Sequence, residues 1–356
     1  MSTVPPQPTL TDGVVVLRPW RDSDIEPARL SHDEEIARWF GFPVVVPTYE
    51  QHAAAVQHWR EQYANDRAIV VFLVEYDDKP AGSVDIRSRG DGRGELSWAL
   101  YSGMRGQGLA TRALRLLISY AFEQLNMARV EARVDPENTR SLRVASRAGL
   151  RREGLLRQHE TIGGRRRDHV ILARLAADVE PSRAEGFRAI LNAGLPRKRA
   201  ISQLLVRDHE QRVLLCQLTY KSDWDLPGGV VEVGESPVVA VTREVTEELA
   251  LDLPARGLLV VDWLPPWSGW DDALCLVFDG GVHDPSIVDA VVPEPREIVT
   301  AELCTRQQVR ERCRDFTARR IEQAVAVVDG GSGVGYLQSG VRRSPDSSDP
   351  RPTNPA

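Results

Sequence analysis

Three glutamates at positions 244, 247 and 248, set in the run Arg243-Glu244-Val245-Thr246-Glu247-Glu248, constrain this chain more than any other feature. The spacing predicts a helix over Ser236–Leu251. On it the three carboxylates stand at i, i+3 and i+4 and share one face. Like charges so placed repel and weaken a bare helix. A hard divalent cation such as Mg²⁺ or Mn²⁺ reverses that penalty and leaves sites open for water and phosphate oxygens. Gly228 and Gly229 let the backbone turn sharply ahead of the helix, where the Gly229 carbonyl can add an oxygen ligand. Val238, Val241, Val245 and Leu249 form an apolar face that anchors the helix to a sheet. A solvated acidic surface face is the plainer alternative. It accounts for neither the glycines, nor Glu235, nor Arg243 beside the cluster.

The rest of the chain bounds the context. Its 356 residues fit two domains of ordinary size. A hydrophobic fraction of 42% and a net charge of −6 indicate a folded chain with no general affinity for nucleic acid. The opening MSTVPPQPTL lacks the basic and apolar regions of a secretory signal, and no apolar run is long enough for a membrane span. Cys216, Cys275, Cys304 and Cys313 have no CxxC spacing and read as free thiols, so a cytoplasmic location is expected.

Over Gly13–Leu175, β-rich runs alternate with helical patterns. Strands are predicted at Val14–Arg18, Ile69–Glu75, Ala81–Ile86, Glu95–Tyr101, Val130–Val134 and Val170–Leu175. A turn at Asp77-Asp78-Lys79-Pro80 joins the second and third. Thr48 and Gln51 form a capping box for a helix to about Tyr63, and Leu114, Leu117, Ile118 and Ala121 mark another over Ala110–Leu125. Between Glu95–Tyr101 and that helix lies Arg105-Gly106-Gln107-Gly108-Leu109-Ala110. A strand, a small-residue turn and a helix N-terminus present free backbone N–H groups to one point, which suits a pyrophosphate. In the second block, strands are predicted at Ile201–Arg207, Val213–Leu218, Leu258–Leu264 and Ala273–Phe278, with a closing helix from about Arg306 to Val325. The domain boundaries expected are 10–176, a partly helical linker at 177–199, 200–330, and an unordered tail at 331–356, which has almost no large apolar residues.

The acidic segment resembles the Nudix family box, G-x5-E-x7-R-E-U-x-E-E-x-G-U with U aliphatic. Gly229, Glu235, Arg243, Glu244, Val245, Glu247, Glu248 and Leu251 fill their positions in order. Ala250 departs, standing where the family has glycine at a helix end of positive φ. The resemblance implies hydrolysis of a nucleoside diphosphate linked to another moiety. Glu244, Glu247 and Glu248 are then the metal-binding and base-positioning glutamates, with Arg243 and Glu235 as a structural brace. An acidic residue outside the box often assists; Glu294 and Glu297 are the candidates, Glu297 ahead. Pro265 and Pro266 lie where ADP-ribose-type members often have proline, or belong to an ordinary loop. Trp224, Trp263, Trp267 and Trp270 could stack on a base or serve as core.

The first block resembles the GNAT acetyltransferases. R-x-x-G-x-A matches their Q/R-x-x-G-x-G/A loop, which cradles the pyrophosphate of acetyl-CoA, and Asn138-Thr139-Arg140-Ser141 with Ala148-Gly149-Leu150 resembles the N-x-x-S…G-F segment. Leu17-Arg18-Pro19-Trp20 and Asp24 look like the opening of the ribosomal-protein alanine N-acetyltransferase-like branch. The resemblance assigns acetyl-CoA to Arg105, Gly106, Gln107, Gly108, Leu109, Ala110 and Asn138. Ala145 occupies the position of the Tyr that many members use toward the thiolate, a Tyr this branch commonly lacks; Ser141 is the candidate donor toward sulfur, or a plain helix N-terminal residue. Glu95, on the central strand, is the candidate base for the amine, directly or through water, or equally an exposed strand charge; His159 and Glu160 are further candidates, with a surface position the plainer reading of His159.

The expected fold is therefore α/β in two domains, an N-terminal GNAT mixed sheet and a C-terminal Nudix α/β/α sandwich. The expected function is a bifunctional enzyme, an acetyl-CoA-dependent N-acetyltransferase and a Mg²⁺-dependent Nudix hydrolase. Its substrates would be a small nucleotide and an amine, either a peptide N-terminus or a small amine. The alternatives are an active hydrolase with an acyl-CoA-sensing GNAT domain, and an acetyltransferase with a nucleotide-sensing Nudix module.

Overall fold

The structure, a computed structural model, describes residues 4–267, 269–330 and 333–342. It divides into two compact units, Met1–Leu195 and Pro196–Ala356.

In the first unit a sheet of eight strands runs Leu10–Thr11, Val16–Arg18, Ile69–Tyr76, Lys79–Ser88, Arg93–Leu100, Arg129–Val134, Arg165–Leu175, Arg151–Ile162. The hairpin turn falls as predicted, with Asp77 and Asp78 both at positive φ, the twist that a two-residue connection requires. Thr48 and Gln51 form the expected capping box on Tyr49–Asn65. The helix Leu109–Glu123 lays Leu114, Leu117, Ile118 and Ala121 on the core formed with Phe72 and Ile86. One junction in this sheet is parallel, Arg93–Leu100 with Arg129–Val134, and its pairing stops at Glu95↔Glu131. Beyond that point the two strands part. The strand Arg151–Ile162 and the helices Ile25–Leu30 and Glu34–Phe40 were not expected from the sequence. Within the expected linker, Ala184–Gly194 is a helix of this first unit; a Cβ on Gly186 would meet the Glu180 carbonyl oxygen at 2.3 Å.

The second unit is an α/β/α sandwich. Its central strands Arg199–Asp208 and Val213–Leu218 alternate their side chains between two cores. Leu204, Val206 and Leu214 pack with Val241, Val245 and Leu249 of the helix Pro237–Leu249. Leu205 and Leu215 pack with Ile321, Ala324 and Val325 of Asp315–Val328 on the other face. The predicted closing helix is broken in two, Arg306–Arg312 and Asp315–Val328. Cys313 turns inward at extended backbone and is buried, while the Arg314 guanidinium covers the Trp267 ring at 4.3 Å. The tail also departs from expectation. Gly335–Gln338 adds a parallel strand beside Leu258–Leu264, and the Gly340 N–H donates to the buried Asp262 carboxylate at 3.0 Å. The segments 331–332 and 343–356 lie outside the described residues. All four cysteines are free and buried, and no described helix is long and apolar enough to cross a membrane.

The helix Pro237–Leu249 ends on Ala250 at φ 57°, ψ 24°, the left-handed conformation that the family's glycine adopts freely. Ala250→Gly should therefore stabilise this domain by about 1 kcal/mol, seen as a higher denaturation midpoint with unchanged slope. A neutral or destabilising result would mean that the Ala250 methyl contributes packing that outweighs its backbone strain.

Candidate functional sites

In the first unit the parting of the two parallel strands opens a cleft of about 740 Å³. One side is lined by Leu96–Leu100, the other by Arg133, Val134 and Asp135, so backbone that a closed sheet would pair faces the cleft instead. At its mouth Gly106 and Gly108 both take φ near +80°, and Gly108 caps the helix Leu109–Glu123. A Cβ added at either glycine would meet nothing within 4 Å, because the space above the loop is open. Gly106, Gly108, Leu109 and Ala110 line the cleft; Gln107 does not, and donates from its side chain to the Gly103 carbonyl. Arg105 faces the cleft but is committed elsewhere: it pairs with Asp33 and Glu35, each at 2.8 Å, and donates to the Leu100 carbonyl. These acidic partners were missed in the sequence, although Asp33 ahead of Glu34-Glu35 is an ordinary helix-start signal.

Asn138 caps Thr139–Arg147, its Oδ1 accepting from the Ser141 N–H at 3.1 Å. Ser141 lines the cleft, and its hydroxyl has no hydrogen-bond partner among the described residues. Ala145 is fully buried and has nothing to donate. Arg143 and Arg147 line the same wall. Glu95 lies in the cleft between Arg89 at 2.6 Å and Arg133 at 3.5 Å. Asp135 pairs with Arg167, whereas Glu160 lines the cleft without an ion pair among the described residues. His159 sits with its ring edge-on to His169 at 5.8 Å. His169 is the residue the sequence reading overlooked. It is buried at the cleft wall, its Nδ1 has no partner, and burial holds its pKa below the usual histidine value. The bulge between Leu156 and Glu160 sets the register that brings His159, Glu160 and His169 together; a single sequence carries no signal for it.

In the second unit, Gly228–Val230 pairs with Arg199–Asp208 and passes directly over the acidic helix face. A Cβ on Gly229 would stand 2.4 Å from the Glu244 carboxyl carbon, so any larger residue there would displace that carboxylate. The Gly228 N–H donates to Glu248 Oε2 at 3.0 Å. Glu248 is buried, which pushes its carboxyl up to about 7 against that hydrogen bond. Burial also raises Glu244, opposed by Arg243. Glu247 is more than half exposed. Arg243 ties the cluster together: it holds Glu235 at 2.9 Å, Glu247 at 2.8 Å and Glu244 at 3.0 Å. The Glu235 contact fits the brace that the sequence suggested. Glu294 and Glu297 form the turn before the strand Ile298–Cys304, with the Glu294 N–H donating to the Glu248 carbonyl at 2.9 Å. The charge of Glu297 reaches both Glu244 and Glu248 and raises them further.

Among the described residues no three acidic or histidine side chains converge on one point; Glu244 and Glu247 turn to Arg243 instead. The donor chemistry nevertheless fits a hard cation. The charges of Glu247 and Glu297 act on Glu244 and those of Glu244 and Glu297 on Glu248, burial opposes the charged state of Glu244 and Glu248, and Arg243 divides its guanidinium among Glu235, Glu244 and Glu247. Of the tryptophans, Trp270 lies under Arg199 at 4.7 Å and Trp224 under Arg312 at 4.5 Å, while the Trp263 indole N–H donates to Asp272.

Comparison with known proteins agrees with this division. Residues 15–151 match the model of the acetyltransferase (GNAT) domain, and residues 196–324 match that of the NUDIX domain. The chain thus joins a GNAT acetyltransferase domain to a NUDIX domain. Its relatives resemble one half each. A probable N-acetyltransferase, YjcK, of Bacillus subtilis (strain 168) is 40% identical over 85 residues, 24% of this chain and 47% of that protein. The spermidine N(1)-acetyltransferase of Escherichia coli (strain K12) is 28% identical over 160 residues, 44% of this chain and 83% of that protein. The RNA pyrophosphohydrolase of Ruthia magnifica subsp. Calyptogena magnifica is 31% identical over 88 residues, 25% of this chain and 42% of that protein. The chain spans less than half the length of the first and the last.

Proposed function

We propose that the chain is a bifunctional enzyme, an acetyl-CoA-dependent N-acetyltransferase in its first unit and a divalent-cation-dependent hydrolase of nucleoside diphosphate derivatives in its second. The splayed strand pair ending on the Gly106–Ala110 loop carries the first reading. The glutamate cluster under Gly228 and Gly229 carries the second.

In the acetyltransferase site, the N–H groups after Gly108 and the helix N-terminus receive the donor's pyrophosphate, with Arg143 and Arg147 near enough to add positive charge. The acyl arm enters where the strands part, and free backbone N–H groups there polarise the acetyl carbonyl. The amine nitrogen attacks that carbon, the C–S bond breaks, and the departing thiolate takes a proton through the Ser141 hydroxyl, which regains one from solvent. Glu95, held by two arginines, serves as a positioning charge. Proton acceptance from the amine falls to Glu160, the unpaired carboxylate, together with the uncharged His169 imidazole beside it.

In the hydrolase site, a bound divalent cation would supply an activated water and neutralise charge on the pyrophosphate. Glu244, Glu247 and Glu248 would hold it, with the Gly229 carbonyl as a further oxygen ligand. Glu297 lies beside them to orient or deprotonate the water. Arg243 and Glu235 keep the three glutamates on one side.

The state of Glu248 gives a test independent of substrate. Below its ordinary value of 4.5 the carboxyl is neutral in both folded and unfolded chains. Between 4.5 and about 7 the folded chain holds the proton more tightly, so this group's contribution to stability falls as pH rises through that window. Cation binding requires the carboxylate and offsets the loss. Added Mg²⁺ or Mn²⁺ should therefore raise the melting temperature of this domain more near pH 8 than near pH 5.5. Glu248→Gln should remove most of that difference. Equal shifts at both pH values, or none, would count against the metal site.

A further inference from the structure

We infer that the acetyl acceptor is a primary amine borne beside a large apolar or aromatic group, as in an amino-acid amide or peptide N-terminus beginning with such a residue. This rests on the acetyltransferase reading above and concerns the end of the cleft away from the glycine loop.

The helix Glu34–Phe40 spans the cleft mouth. Its first turn is tied to the donor side through Asp33, Glu35 and Arg105. Its last residues reach the opposite side, where Gly41, at φ 70°, rests on Ile162 and Gly163 at the tip of the hairpin Arg151–Ile162/Arg165–Leu175. Trp39, Phe40, Gly41 and Ile162 line the cleft itself. From there the apolar surface continues outward through Phe42, Val44 and Val45, which are 54%, 65% and 75% exposed. Residues 39–47, WFGFPVVVP, contain no charged side chain. Phe40 and Phe42 are stacked with centroids 5.6 Å apart, and His32 Nε2 contacts the Pro43 carbonyl oxygen at 2.8 Å, so the strip is shaped rather than loose. A contiguous apolar strip of this kind signals a binding surface. Because it is continuous with the cleft and lies opposite the donor's loop, its occupant is the group that enters from that side, the acceptor.

The charges narrow the acceptor further. Four carboxylates line the cleft: Glu35, Glu95, Asp135 and Glu160. The first three are each paired with arginine, and only Glu160 has no ion pair among the described residues. One free carboxylate beside an apolar strip complements one ammonium on an apolar body. A polyamine, with several charges to satisfy, would leave most of them unpaired against Trp39, Phe40 and Ile162.

The test uses the full-length chain, acetyl-CoA, and thiol release as readout. The acceptors are phenylalaninamide, leucinamide, glycinamide, spermidine, and an aminoacyl-nucleoside phosphate analogue. Phenylalaninamide and leucinamide should exceed glycinamide and spermidine in kcat/KM by about 10–100-fold, the range that burial of one large side chain supplies. Val45→Ser, at an exposed position, and Phe42→Ser should each narrow that ratio, with melting temperature checked for both. Preference for glycinamide or spermidine overturns the inference, as does a ratio unchanged in both variants. Preference for the nucleoside phosphate analogue also overturns it and gives the aromatic strip to a base. Thiol release with none of the five acceptors would instead count against the acetyltransferase reading on which this rests.

Discussion

Glu248→Gln should lower pyrophosphate hydrolysis by about 10³-fold or more while the domain stays folded. The substitution keeps the size of the side chain and an oxygen for the Gly228 N–H, but it removes the charge a divalent cation requires. The folded state should gain rather than lose stability in the absence of metal, because burial already disfavours the Glu248 carboxylate. Loss of activity with equal or higher melting temperature is the signature to look for, by phosphate release in Mg²⁺ together with thermal unfolding. Glu247 is more than half exposed and tied to Arg243, so Glu247→Gln should act through the metal alone, without that gain in stability. Turnover near wild type in either variant would remove these glutamates from the reaction.

Gly108→Val should weaken acetyl-CoA binding by about 100-fold or more in calorimetric titration. Two costs combine. A β-branched residue is strained at φ +80°, and its side chain projects into the open space above the loop that the phosphates need. Since no protein atom lies within 4 Å of the added Cβ, the damage should fall on binding more than on folding. Arg105→Ala should do less to binding per contact with the donor, because that guanidinium is spent on Asp33, Glu35 and the Leu100 carbonyl. Its effect should appear as loosening of the helix Glu34–Phe40 over the cleft. Wild-type affinity in a folded Gly108→Val protein would contradict the assigned role of the loop.

What the sequence made legible follows from how local each signal is. The acidic helix, its glycines and the Arg243–Glu235 brace are written in fixed spacings along one stretch of chain. Even the departure at Ala250 was readable, and the residue does take the left-handed conformation its position demands. The hairpin at Asp77-Asp78 and the capping box at Thr48 were legible for the same reason. The strand Arg151–Ile162 was not. Its sequence RREGLLRQHETI is largely polar because the strand sits at the sheet edge with mostly exposed side chains, so no alternation marks it. That omission hid the placement of Glu160 and His169, which depends on pairing across a bulged hairpin. The break at Cys313 and the late strand Gly335–Gln338 depend on burial and on Asp262, distant in sequence, and no local pattern announces them.

Whether two separate reactions are carried by one chain can be read by measuring both activities in single preparations of full-length protein. Gly108→Val, Glu248→Gln and wild type should each be assayed for acetyl transfer from acetyl-CoA and for Mg²⁺-dependent phosphate release from a panel of nucleoside diphosphate derivatives. Wild type should perform both reactions, Gly108→Val should lose only acetyl transfer, and Glu248→Gln should lose only hydrolysis. A wild-type protein lacking either reaction across the panels, or a folded variant that loses both together, would contradict the two-site reading.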